Sequence, residues 1–183
     1  MLGGKMNLLV LVYDDFQDIE LAGTLGILER TKKINVTYYN PDYKDVTGVH
    51  KVIKLNVIKE ELKPELYDGI LIVGGKQAQT LRKDKRGLDL VKYFMDSKKY
   101  VFAICDAPNA LYENGLIPVK KYASYPMPNF KPGKNRVNDL VCVEGNLVTG
   151  KSPYASHDFA IQIIRTLFGD ELANQIANGT NPK

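Results

Sequence analysis

Cys105 ends the apolar run Val101–Ile104 and stands just before the helix-forming residues Ala107–Leu111, in "VFAICDAPNAL". A cysteine there is either a core thiol, since free cysteine is among the most buried residue types, or a nucleophile held for reaction. A nucleophile on a tight strand-to-helix turn needs small neighbours, because the strained backbone brings flanking side chains together. Ala103 and Ala107 stand two residues to either side. Pro108 falls in the first helical turn, where its missing N–H costs little. The positive start of the helix favours thiolate over thiol. The N–H of Asp106 then becomes available to a developing oxyanion. Gly74-Gly75, at the end of another apolar run, offers a second donor and lets a substrate approach the backbone closely. With these neighbours the nucleophile reading of Cys105 outweighs the core one. Cys142 alternates with valines in "VCVE" and reads as core.

Other chemistries lack their residues. Two scattered cysteines and two histidines give no zinc-ligand spacing. "GGK" is not followed by Ser or Thr and lacks the spaced preceding glycine of a phosphate loop; no G-x-G-x-x-G follows a strand. The acidic cluster Asp14, Asp15, Asp18 and Glu20 reads as a strand-to-helix turn and helix start before a cation site. No cofactor and no metal are therefore expected. A net charge of +4, with "RKDKR" interrupted by Asp84 and free of aromatics, argues against nucleic acid and makes that stretch a solvated helix end.

The elements that must position these residues follow from hydrophobic patterning. "MNLLVLVY" and "YVFAI" are near-continuous apolar runs of strands covered on both faces, as is "YDGILIVGG". "INVTYYN" reads as a further strand and "HKVIKLNVI" as an alternating, more exposed one. Ile19, Ala22, Ile27 and Leu28 recur at roughly helical spacing, in a helix ending near Lys33. Leu88, Val91, Phe94 and Met95 mark a second helix, and "APNALYENG" a third closed by Gly115. "KYASYP", "LVCVEG" and "NLVTG" read as strands, with a hairpin turn at "EGN". Ser156 is placed as an N-cap for a helix carrying Phe159, Ile163, Ile164 and Leu167 inward, and "DELANQIANG" forms the last helix.

Alternating buried strands and helices predict a single α/β domain over residues 1–183, a mostly parallel sheet between helices, with "MLGGK" as an extension. "PMPNFKPGKN" (Pro126 to Asn135) is the one long irregular loop. Ligands of such sheets bind at the carboxyl ends of the strands, where "YDDFQDIE", "GGK" and Cys105 fall. "NLLVLV" is too short to span a bilayer, and no cleavage signature follows it. The reading is a cytoplasmic, reduced protein.

In this arrangement "FQDIE", "ILIVGG", "AICDAPNAL", "ASYP" and "SPYASHDFAIQII" occur in the order and spacing of the ThiJ/PfpI family, which the chain resembles from Met6 onward. The resemblance implies a flavodoxin-like three-layer sandwich, a homodimer, and a reactive elbow cysteine at Cys105. It places the family's acidic partner on Glu20 and the oxyanion donors on the N–H groups of Gly75 and Asp106. It also implies an enzyme acting on small reactive carbonyl compounds, as in glyoxalase or deglycase activity, or on carbon–nitrogen bonds. A redox-sensing role of the same cysteine, or a silent family member, is the alternative. Where relatives carry histidines, this chain has Asp106 and Tyr125, so a Cys–His protease dyad is not expected. Tyr125 and His157 are the auxiliary candidates, and His50 has no placement near Cys105.

Overall fold

The computed structural model describes residues 4–129 and 131–183. Met1–Gly3 of the proposed extension, and Phe130 in the long loop, lie outside the described residues. Six strands form the main sheet: β1 (Met6–Leu11), β2 (Ile34–Tyr39), β5 (Gly69–Ile72), β6 (Tyr100–Ile104), β9 (Val141–Glu144) and β10 (Leu147–Gly150). Their order is β2-β1-β5-β6-β10-β9, parallel throughout except for the β9–β10 pair. That pair is the expected hairpin, and Gly145 turns it with φ +62°.

Among the described residues, six α-helices cover the two faces: α1 (Asp18–Glu29), α2 (Gln77–Lys83), α3 (Lys85–Asp96), α4 (Ala107–Glu113), α5 (Ser156–Phe168) and α6 (Asp170–Thr180). Side chains alternate across a strand, so each buried strand feeds two cores. Leu8 and Val10 of β1 and Phe102 and Ile104 of β6 pack with α1, α5 and α6. Leu9, Leu11, Val101 and Ala103 pack against Leu81, Val91, Phe94 and Leu111 of α2, α3 and α4. The result is the expected three-layer α/β sandwich.

Several elements differ from the sequence pattern. "HKVIKLNVI" contributes no strand to the main sheet; only β4 (Lys54–Leu55) forms, pairing with β3 (Val46–Thr47). The Asp18 carboxylate accepts the N–H groups of His50, Val52 and Ile53 at 2.8, 3.0 and 2.9 Å, so these donors are not available to a neighbouring strand. "KYASYP" shortens to β7 (Tyr122–Ala123), paired with β8 (Arg136–Val137). Helix α2 was not expected, because only Ala78 and Leu81 mark its inner face between polar and basic residues. "RKDKR" is therefore a boundary between two helices: Asp84 ends α2 and caps α3 by accepting the Arg86 N–H at 3.0 Å. Ser156 lies inside α5, with Ala155 at the cap, and its hydroxyl donates to the Pro153 carbonyl.

Helix α1 departs most from its pattern. Ile19 is 54% exposed, while the buried positions include Glu20, Leu21, Thr24 and Leu28. Three polar side chains, Asp18, Glu20 and Thr24, take buried positions that apolar residues were expected to fill. Such a local conflict marks a place held for something other than packing.

Candidate active site around Cys105

Cys105 follows β6 and adopts φ +66°, a left-handed conformation unusual for a residue with a Cβ. The strain is worth about 1–2 kcal/mol. Two backbone hydrogen bonds hold it: the Cys105 N–H donates to the Gly150 carbonyl and the Cys105 carbonyl accepts the Tyr125 N–H, both at 2.9 Å. The elbow expected from the flanking alanines is present. Its thiol sits in the core wall, with the residue 8% exposed.

The sulfur faces Glu20 of α1. A Cβ on Gly74 would come within 3.0 Å of both the Cys105 Sγ and the Glu20 Oε1, and within 2.7 Å of the Cys105 Cβ. Glycine at 74 is thus what lets thiol and carboxyl share this space. Glu20 is wholly buried; its Oε1 accepts the Gly74 N–H at 2.7 Å, and its Oε2 meets no hydrogen-bond partner among the described residues. Burial raises the carboxyl to about 7, opposed by hydrogen bonds from the Gly74 N–H and Cys105. The same burial, then the charge and hydrogen bond of Glu20, push the Cys105 thiol up, while the Asp106 N–H pulls it down. The depression expected from the helix start is therefore not found. Helix α4 is only seven residues long and the sulfur is buried against a carboxyl. Protonating Glu20 removes its charge from beside the sulfur, so the two groups titrate as a coupled pair.

Asp106 neither turns to solvent nor caps α4 with its side chain. Its carboxylate receives a two-pronged ion pair from Arg82 of α2, at 2.6 and 2.7 Å, and a hydrogen bond from the Asn109 amide at 2.9 Å. Arg82 also binds Glu113. A cavity of about 440 Å³ opens beside this ion pair, lined by Gln79, Arg82, Glu113, Met127, Pro128 and Asn129. Met127, Pro128 and Asn129 bring the long loop to the edge of this cavity.

The remaining candidates divide. Gly75 is at φ +89° where the chain crosses the β1–α1 turn, and a Cβ there would lie 2.6 Å from the Asp15 carbonyl oxygen and the Gln17 nitrogen. Gly75→Ala is expected to cost about 2 kcal/mol or more in urea unfolding, beyond the roughly 1 kcal/mol for Gly115→Ala, whose φ is +73° but whose surroundings are open. Equal losses would show that the contact is relieved. Tyr125 joins the site through its backbone, and its side chain is 40% exposed. His157 is not brought to Cys105: its Nε2 bonds the Thr180 hydroxyl at 2.7 Å, at the end of α6. His50 is exposed on the loop anchored by Asp18. Of the acidic cluster, Asp14 accepts the Thr47 N–H and Asp15 pairs with Lys51. Among the described residues, no group of three metal-ligating side chains forms, and no helix is long and apolar enough to cross a membrane.

Gly74, Arg82 and Asn109 were not singled out by the sequence for these contacts. A buried acid next to a cysteine calls for a countercharge, but nothing local says which of the chain's basic residues supplies it.

Fold and site define an α/β sandwich protein that presents a cysteine on a strand-to-helix elbow against a buried glutamate. The chain belongs to the DJ-1/PfpI family, whose profile matches residues 6–166. It is 32% identical over 174 residues to "Uncharacterized protein MG029" of Mycoplasma genitalium, covering 94% of each chain. It is 27% identical to "Protein DJ-1 homolog B" of Arabidopsis thaliana, spanning 97% of this chain and 41% of that one. The structure of oxidized Toxoplasma gondii DJ-1 superposes with a TM-score of 0.81 at 26% identity, covering 96% of this chain and 97% of the other.

Proposed function

We propose that this protein is a cysteine-dependent enzyme acting on small reactive carbonyl compounds through Cys105 and Glu20. The observation that carries this reading is the wholly buried Glu20 carboxyl set against a thiol on a strained elbow, a burial that raises the carboxyl to about 7. A proton donor near neutral pH beside a nucleophile is the pairing that carbonyl addition needs.

Glu20 takes the thiol proton as the Cys105 sulfur attacks the aldehyde carbon of a 2-oxoaldehyde, forming a C–S bond as the S–H bond breaks and the carbonyl π pair moves to oxygen. The N–H groups of Gly75 and Asp106 take the oxyanion, and Glu20 delivers its proton to give the hemithioacetal. Glu20, now a carboxylate, removes the proton on that carbon and returns it to the neighbouring carbon, while the hydroxyl proton passes to the neighbouring oxygen as the new carbonyl forms. The product is a thioester of a 2-hydroxy acid, which water hydrolyses. No external oxidant is needed, because one carbon is oxidised as its neighbour is reduced. Attack on a carbon–nitrogen bond would use the same nucleophile and donors. A homodimer with a small-molecule substrate, working in the cytoplasm, belongs to the same proposal.

The test is conversion of methylglyoxal to lactate by wild type, Cys105→Ser and Glu20→Gln. Turnover should fall to background without the sulfur and fall strongly in Glu20→Gln, which keeps the shape but cannot move a proton. Equal rates in all three would remove the proposal.

The same geometry favours a second reading. A sulfur facing a carboxyl that can donate a hydrogen bond is suited to stabilising an oxidised acid, and the Toxoplasma relative was solved oxidized. Peroxide titration followed by peptide mass should then place added oxygen on Cys105 before Cys142; equal oxidation of the two would exclude sensing.

A further inference from the structure

Asp106 poses a problem that the elbow alone does not solve. It is the residue next to the nucleophile, it is 4% exposed, and its charge acts on both Cys105 and Glu20. A bare carboxylate there, with Glu20 on the other side, would surround the sulfur with negative charge and oppose the thiolate.

We propose that Arg82 is a positioning residue for Cys105, holding the Asp106 carboxylate so that its charge is neutralised and the elbow is fixed beneath the sulfur. The inference rests on the reading of Cys105 as a nucleophile. The charged groups acting on the sulfur are Glu20 from α1 and Asp106 at the elbow; Arg82 of α2 pairs with Asp106, with Glu113 of α4 on the far edge of the guanidinium. Arg82 is the cation of this set. Its side chain is 14% exposed, against 6% for that of Asp106, so the pair is poorly screened by water. Both Asp106 oxygens are engaged by separate guanidinium nitrogens, a geometry a lysine cannot reproduce.

A hydrogen-bonded circuit continues from the ion pair to the nucleophile. Asn109 donates from one amide nitrogen to Asp106 Oδ1 and to the Tyr125 carbonyl, at 2.9 and 3.0 Å. The Tyr125 N–H in turn holds the Cys105 carbonyl at 2.9 Å. Arg82 thus reaches the strained φ of Cys105 through Asp106, Asn109 and Tyr125, besides acting on its charge.

The experiment is native-state alkylation by iodoacetamide at pH 8, with Cys105 and Cys142 followed separately by peptide mass. Wild type, R82Q, D106N and R82Q/D106N form a double-mutant cycle. In R82Q, alkylation of Cys105 should slow about tenfold, the effect of one pKa unit at the sulfur, with Cys142 unchanged. In R82Q/D106N it should return to within about threefold of D106N, because the charge needing compensation is gone. Should R82Q fail to fold, R82K keeps the charge without the fork and should slow Cys105 by about threefold, again relieved by D106N. Faster alkylation of Cys105 than Cys142 in wild type, with no change in R82Q and R82K, overturns this inference and leaves the nucleophile reading standing. Wild-type Cys105 that reacts no faster than Cys142 overturns both.

Discussion

Arg82→Met should destabilise the fold by about 3–5 kcal/mol, because it leaves the Asp106 carboxylate buried without its cation. The methionine side chain fills much of the same space, so lost packing contributes little. The cost is instead that of a charge at 4% exposure, left with only the Asn109 amide. Asp106→Asn in the same background should recover most of the loss, since a neutral amide needs no countercharge. Asp106→Asn alone should be mild, because Arg82 retains Glu113. Chemical denaturation of the four proteins measures this directly. If Arg82→Met loses less than about 1 kcal/mol, water or a rearranged lysine is compensating Asp106, and the ion pair has no structural role.

Glu20 should make the fold less stable as pH rises through neutrality. An unfolded glutamate titrates at 4.5, whereas burial raises the folded group to about 7. Below 4.5 the carboxyl is protonated in both states and stability is greatest. Between 4.5 and 7 the native state keeps a proton that the unfolded state has lost, so stability falls with rising pH. The total change is about 3 kcal/mol, levelling off above the folded value. Asp18 titrates the other way, since the N–H groups of His50, Ile53 and Val52 hold its carboxyl below the usual range despite its desolvation. Its contribution is lost only as pH falls further into acid. Glu20→Gln isolates the first effect, because the amide stays neutral. The variant should gain about 3 kcal/mol relative to wild type between pH 4.5 and 8. A constant difference across that range would mean that Glu20 is ionised in its pocket, and with it would go its role as proton donor.

Glu20 and Arg82 differ in how far the sequence reveals them. Glu20 was placed by its position in "FQDIE" and by family order, although α1 was read as turning Ile19 and Ala22 inward. The apolar spacing misled there because Glu20 and Thr24 occupy buried positions that packing alone would give to hydrophobic residues. The pattern in "RKDKR" predicts a solvated helix end for Arg82. Its burial follows from the packing of α2 against α4, which no local pattern in "RKDKR" encodes. His157 erred in the opposite sense: its helix was correctly found, but the ring turns toward Thr180 instead of the cysteine.

What the sequence determined by itself was the alternation of buried strands and helices, and the turn at Cys105. Both are short-range consequences of apolar runs, small flanking residues and glycines that one segment carries alone. The tertiary structure decided which face of α1 is buried, that Gly74 makes room for Cys105 and Glu20 together, and that Arg82 answers Asp106. Each of these joins segments more than twenty residues apart. Their pairing is set by sheet order and helix packing, so it has no signature in local spacing.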